Sequence, residues 1–214
     1  VVPNRYPAVD RAGIWVMDEY QQGPFNVLPG YGYHEVLITK HHDKNFVQLS
    51  QKDALDVFEA FKARYKELAQ DKNLYYISMF HNWGVKAGAS IYHPHYQILG
   101  VPVIPPGVGR SLDGTGKYYK KHKACAHCTE NAWELGKKKR IIYKNTHAVA
   151  YVPFASKEPF EMRVFPLKHI SFFEETDSKT MQSFTTVLQV AIGKLERGLR
   201  HPDYNFFIHT APTR

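Results

Sequence analysis

Only two cysteines occur in the 214 residues, Cys125 and Cys128. That excludes a disulfide-built scaffold, and the C-x-x-C spacing reads instead as a metal clip or a redox pair in a reducing, cytoplasmic setting. No run of 18 apolar residues is present, so no membrane-spanning helix is expected, and no secretory leader is visible at the N-terminus. Position 1 lacks methionine, and Val1 and Val2 already read as the middle of a strand; the expectation is a piece of a longer protein. An acidic excess is also missing. Twenty-eight Lys and Arg against 20 Asp and Glu leave a formal charge of +8. The lysines gather at 117–123 and 137–140, which reads as a solvated connector and helix surface rather than a stripe for nucleic acid. A small phosphorylated ligand needs only a few local positive groups, so neither a nucleic acid nor a membrane partner is expected. With 43% hydrophobic and 22% charged residues, disorder is excluded and one large or two small cores can form.

What is present is an internal repeat. His42-Asp43-Lys44-Asn45-Phe46, a helix and the aromatic-rich segment from Tyr75 to Asn82 are echoed by His169-Ile170-Ser171-Phe172-Phe173, a helix and the segment from Tyr204 to Thr210. Leu55, Phe58, Phe61, Tyr65 and Leu68 fall on one helix face; Met181, Phe184, Leu188, Ala191, Leu195 and Leu199 fall on another. Ser50 and either Asp177 or Ser178 are placed to cap these helices. Strands are expected at 34–39 and 162–166 before them. Asn4 to Val9 echoes Asn145 to Ala150, each after a short apolar strand. The expected fold is α+β, two tandem units spanning 1–106 and 107–214, each an antiparallel sheet with a long helix packed on it. Pro102, Pro105, Pro106 and several glycines are expected to keep the join, 102–123, free of regular structure.

The sharpest motif is His93-Pro94-His95-Tyr96-Gln97. Alternation along a strand puts His93, His95 and Gln97 on one face. Three polar groups on one face of a buried strand are costly unless they serve a ligand. Upstream, Ala87-Gly88-Ala89-Ser90 is a loop whose backbone N–H groups can approach a phosphate.

Together with Asn4-Arg5-Tyr6-Pro7-Ala8, Gly32-Tyr33-His34-Glu35-Val36, the C-x-x-C pair and Lys168-His169-Ile170-Ser171, this motif resembles the galactose-1-phosphate uridylyltransferase family of the histidine-triad superfamily, over essentially the whole chain. The resemblance implies ping-pong nucleotidyl transfer. His95 attacks the α-phosphorus of UDP-glucose, glucose 1-phosphate leaves, and a uridylyl-histidine passes its nucleotide to galactose 1-phosphate. A neutral imidazole is nucleophilic if its second nitrogen keeps the proton, which the carbonyl of His93 would hold. Gln97 stands where histidine-triad hydrolases have a third histidine. It cannot act as an acid, but it can hydrogen-bond a phosphoryl oxygen, which suits exchange between two phosphates. By the same resemblance Asn82 and Ser90, with Gly88 and Ala89, would line the phosphates, and Asn4 the nucleoside end. A related adenylyl enzyme, an ADP-glucose or dinucleoside-polyphosphate phosphorylase, shares these motifs, so uridine and adenosine stay open. A non-catalytic nucleotide-binding protein is a third reading.

The resemblance also implies one metal, zinc or iron, in each unit. His42 and His93 fit two ligand roles in the first. Cys125, Cys128 and His169 fit three in the second, where the repeat favours His169 over His147. Mixed Cys and His donors suit tetrahedral zinc in a structural role. A homodimer is implied as well. His34, His81, His127 and His209 have no partner assignable from the sequence and read as structural or exposed.

Overall fold

The computed structural model describes residues 1–11 and 20–213. Strands β1 (Val2–Pro3), β2 (Tyr20–Gln22), β3 (Phe25–Val27) and β4 (Tyr33–Ile38) precede helix α1 (Gln51–Leu68). Strands β5 (Tyr76–Trp83) and β6 (His95–Val101) follow, then helices α2 (Pro106–His122) and α3 (Ala126–Lys137). Strands β7 (Ile141–Lys144), β8 (Ala148–Tyr151) and β9 (Arg163–Pro166) lead to helix α4 (Ser178–Leu199) and strand β10 (Tyr204–Ile208). The main sheet runs β1-β4-β6-β5-β10 with every neighbour antiparallel. A second antiparallel sheet, β7-β8-β9, packs against α4, and β2-β3 is a separate hairpin. The α+β class with antiparallel sheets and long helices is therefore the observed one.

The helices form where their apolar stripes predict. On α1, Phe58, Phe61, Tyr65 and Leu68 are buried, and Ser50 Oγ accepts the Asp53 N–H at 3.0 Å as the N-cap. On α4, Met181, Leu188 and Ala191 are buried, and Asp177 Oδ1 accepts the Thr180 N–H at 2.9 Å. Leu199, at the end of that stripe, is left at the exposed C-terminus of the helix. The two helices meet over a ring cluster of Phe46, Phe58, Phe61, Tyr96, Phe184 and Phe206. Each fully buried phenylalanine contributes roughly 2 kcal/mol of apolar burial. Arg64 of α1 donates through Nε and Nη2 to both carboxylate oxygens of buried Glu35, each at 2.6 Å, tying the helix to β4.

Two expectations need correcting. The join is not irregular, because α2 runs through it for 17 residues. Pro106 is its first residue, where a missing N–H costs nothing, so proline here starts the helix rather than breaking it. None of its residues is buried. Second, β10 lies in the second repeat but hydrogen-bonds to β5 of the first, with Asn205 opposite Asn82 and Phe207 opposite Phe80. No helix among the described residues is long and apolar enough to cross a membrane.

Candidate active site

The main sheet has two unlike faces. Tyr96 and Ile98 of β6, Ile77, Met79 and His81 of β5, and Leu37 of β4 face α1 and the core. Strand alternation turns His95, Gln97, Asn82, His34 and Asn205 to the other face. That face carries a polar row running from Asn4, beside β4, to Asn205 on β10.

His95 begins β6, and His93 lies before the strand, separated by Pro94, which has no N–H to give a ladder. The expected three-residue strand face is therefore His95 and Gln97 alone. His93 is held by its ring, with Nε2–H donating to the Thr39 carbonyl at 2.9 Å, and packs edge-on to His42 with ring centroids 4.6 Å apart. Its own carbonyl accepts from His95 Nδ1–H at 2.9 Å. With the proton on Nδ1, the lone pair of neutral His95 sits on Nε2, which has no hydrogen-bond partner among the described residues.

Asn82 and the loop after it close one end of the row. The N–H groups of Gly88 and Ala89 bond to the carbonyls of Val85 at 3.0 Å and Gly84 at 3.1 Å, so the loop in this form does not present those two amides to a phosphate. Ser90 is exposed beyond them. Gly84 and Gly88 both have φ of +85°, which side chains resist. A Cβ on Gly84 would lie 2.2 Å from the Asp203 carboxylate, which accepts the Lys86 N–H at 2.6 Å. Asn205 Nδ2 donates to Asn82 Oδ1 at 2.8 Å and to the Ala87 carbonyl at 2.7 Å. Asp203 and Asn205 thus pin the loop of the first repeat.

Gln97 closes the other end. His34, read from sequence as lacking a partner, has three neighbours: Gln97 Oε1 at 2.9 Å from Nε2, the Ala8 N–H at 3.0 Å from Nδ1, and Asn4 Nδ2 at 3.2 Å from Nε2. His34 and Asn205 are the site residues that sequence reasoning missed. His34 lies one diagonal step across the strand pair from Gln97, since Val36 is opposite Gln97, and a register is needed to see it.

His81 lies behind His95. Its Nδ1–H donates to the His95 carbonyl at 2.7 Å, and its ring stacks on Tyr96 at 4.4 Å. Its pKa is pushed down to about 4, chiefly by burial; that hydrogen bond opposes the shift and the neighbouring His95 ring adds to it. Its Nε2 and the hydroxyls of Tyr96 and Tyr204 are buried without hydrogen-bond partners among the described residues.

The remaining sequence candidates form a separate cluster. Ligand atoms of Cys125, Cys128 and His169 all lie within 4.8 Å of one another. Cys125 caps α3 and Cys128 follows in its first turn. His169 Nδ1 is 3.2 Å from Cys128 Sγ, and its Nε2 is 3.0 Å from Ser171 Oγ. A ring nitrogen aimed at two thiols, with the other nitrogen held from behind, is how metal-ligating histidines are supported. The three donors fit a borderline-soft cation. His147 is not in this group; its N–H bonds to Asn145 Oδ1.

Residues 1–105 match the model of the family described as galactose-1-phosphate uridyl transferase, N-terminal domain. An ADP-glucose phosphorylase of Arabidopsis thaliana is 33% identical over 100% of this chain and 60% of its own length. A galactose-1-phosphate uridylyltransferase of Thermotoga maritima is 29% identical over 91% of this chain and 60% of its own. The chain therefore spans about 60% of the length of these curated relatives. Among solved structures, a uridylyltransferase superposes with a TM-score of 0.92 at 28% identity, covering 100% of this chain and 68% of that one. The Arabidopsis ADP-glucose phosphorylase with bound ADP-glucose gives 0.87 at 31%, covering 99% and 65%. The motif, the fold and these likenesses agree: the chain belongs to the galactose-1-phosphate uridylyltransferase family.

Proposed function

We propose that the chain carries the nucleophile of a nucleotidyltransferase acting on a nucleoside diphosphate hexose. His95 Nε2 attacks the α-phosphorus, the bond to the departing hexose 1-phosphate oxygen breaks, and the nucleotide is held on His95. Attack on that phosphorus by a second hexose 1-phosphate, or by phosphate, releases a new nucleoside diphosphate product and restores the imidazole. The observation that carries this reading is the His95 Nδ1–H bond to the His93 carbonyl, which leaves the Nε2 lone pair facing the polar row. Gln97 and Asn82 supply amide N–H donors to the phosphoryl oxygens, Ser90 a hydroxyl, Gly88 and Ala89 the bend of the loop, and Asn4 a contact toward the nucleoside. Because Gln97 carries no transferable proton, the arrangement favours a leaving group that departs as a phosphate.

UDP-glucose with a hexose 1-phosphate acceptor is the first donor and acceptor pair, as in the uridylyltransferases. The adenylyl reading is favoured by the 33% identity to an ADP-glucose phosphorylase along the full chain. The test is to incubate the protein with UDP-glucose or ADP-glucose labelled in the nucleoside, quench in alkali, and count label on protein, with His95→Ala beside it. Label from UDP-glucose that chases onto galactose 1-phosphate establishes the uridylyl reaction. Label from ADP-glucose alone moves the donor to adenosine, and binding without label from either leaves a nucleotide-binding protein.

Two further elements belong to this reading. Cys125, Cys128 and His169 would hold zinc, and His42 with His93 a second ion; when bound, the metal supplies a cross-link and not a reaction step. Metal analysis should find zinc retained by the protein, and Cys128→Ser should lose about one equivalent of it and lower the melting temperature. The same stoichiometry in the variant would remove the site. The division into repeat units at 106 and 107, a homodimer and a cytoplasmic setting complete the picture.

A further inference from the structure

Gln97 is useful to a phosphate only in one of its two amide orientations. With Nε2 toward the site it donates; flipped, it offers an oxygen to oxygens. Nothing in the glutamine itself chooses between these. The choice is made behind it. A main-chain N–H can only donate, so the Ala8 N–H at 3.0 Å requires His34 Nδ1 to be the accepting nitrogen. In the neutral ring the proton is then on Nε2, and the neighbour of Nε2 at 2.9 Å must accept it, which is Gln97 Oε1. Asn4 does not disturb this order. Its Oδ1 accepts the Tyr6 N–H at 2.9 Å, so its Nδ2 faces an N–H at 3.2 Å, and that approach is a contact between donors rather than a bond. A flipped Gln97 would likewise set N–H against N–H.

We infer that His34 is a positioning residue. It relays the fixed polarity of the Ala8 amide to Gln97 and holds the Gln97 NH₂ toward the phosphoryl group. This rests on the reading of Gln97 as a phosphate donor and adds the residue that makes it one. His34 touches neither the phosphorus nor the nucleophile; it acts through Gln97. The segment 4–8 thereby does two things at once: Tyr6 N–H fixes Asn4, and Ala8 N–H fixes His34.

The test is a double-mutant cycle on the full chain, read as the rate of nucleotide transfer onto His95 from UDP-glucose and from ADP-glucose. His34→Phe keeps the ring and removes both nitrogens, and should slow transfer by about tenfold, as expected for a misoriented donor. His34→Gln keeps an N–H donor and should recover most of the loss. In a Gln97→Ala background, His34→Phe should change the rate by less than about twofold, because its only target is gone. Full additivity of the two substitutions, or no rescue by His34→Gln, would overturn the inference in favour of a structural role. A long-range proton–nitrogen NMR spectrum decides it independently of activity. Wild type should show the Nε2–H tautomer at His34, and His34→Phe should shift the Gln97 side-chain amide; the Nδ1–H tautomer, or an unmoved Gln97 amide, sinks it. If wild type takes up no label from either nucleotide sugar, the proposed function fails while the NMR result still stands or falls by itself.

Discussion

His81 and His95 are the same side chain held in the same way, and the sheet between them makes them opposites. Each donates Nδ1–H to a main-chain carbonyl, His95 to His93 at 2.9 Å and His81 to His95 at 2.7 Å. In the neutral form of each ring the lone pair is therefore on Nε2. On the open face that lone pair meets the polar row, where the proposed function uses it as the nucleophile. On the core face the ring packs against Tyr96, Trp83, Tyr204 and Phe206, and Nε2 has no hydrogen-bond partner among the described residues. The tautomer is set by the carbonyl, and the function by which side of the strand the ring leaves. A buried histidine is thus a poor guide to a site unless the face from which it leaves the strand is known.

Three substitutions or conditions would break or sharpen that contrast. The largest effect separates the rings by activity. His95→Ala should lower nucleotidyl transfer by a factor on the order of 10⁴ or more while leaving the melting temperature within a few degrees, as expected for loss of a covalent nucleophile. His81→Phe, which keeps the stack on Tyr96, should leave transfer within roughly tenfold. Equal losses in the two variants would show that the faces are not distinct.

The next effect separates them by acid. His81 takes a proton near pH 6.5 when unfolded, and folded only near 4. Between those values the unfolded chain binds more protons, so stability is full above pH 6.5 and falls as the pH drops through the window. The span corresponds to about 3 kcal/mol for this group. Denaturant unfolding between pH 7 and 4 should show that loss in wild type and a clearly shallower slope in His81→Phe (pH range set by the same two values). An unchanged slope would mean that His81 does not carry it.

The smallest effect lies on β10, which repeats the contrast in adjacent residues. Phe206 packs on His81 from the core side, at 5.2 Å, and Asn205 holds Asn82 on the open side. Asn205→Ala should reduce transfer by about tenfold through a free Asn82 amide, with a stability change of about 1 kcal/mol for the lost bonds. Unimpaired transfer would show that Asn82 needs no such support.

Much of this is legible in the amino-acid sequence. The apolar stripes of α1 and α4 and their caps Ser50 and Asp177 follow from spacing and side-chain chemistry, and the helices form accordingly. His93-Pro94-His95-Tyr96-Gln97 stands out because buried polar alternation is costly, and the structure places His95 and Gln97 on one strand face. Cys125, Cys128 and His169 are brought together as the repeat implies. What is not legible depends on register or on exposure. His34 reaches Gln97, and Asn205 reaches Asn82, only because particular residues of separate strands are paired, and composition carries no trace of that pairing. In the sequence the loop amides of Gly88 and Ala89 look free for a phosphate, yet the turn itself uses them. Helix α2 is hidden by glycine and proline: proline is tolerated in a first turn, and each glycine weakens a helix by about 1 kcal/mol without forbidding it.

The pairing of β10 with β5 also orders events in time. On the ribosome, β4, β5, β6 and the loop carrying Ser90 emerge well before β10. Until Tyr204 to Ile208 dock, the loop lacks its Asp203 and Asn205 tethers and the β5 edge of the sheet is bare. Such a long-range closure is slow and leaves an unpaired strand exposed meanwhile. A chain in which β10 has not yet docked would therefore hold His95 on a finished strand while the loop carrying Ser90 still lacked its tethers.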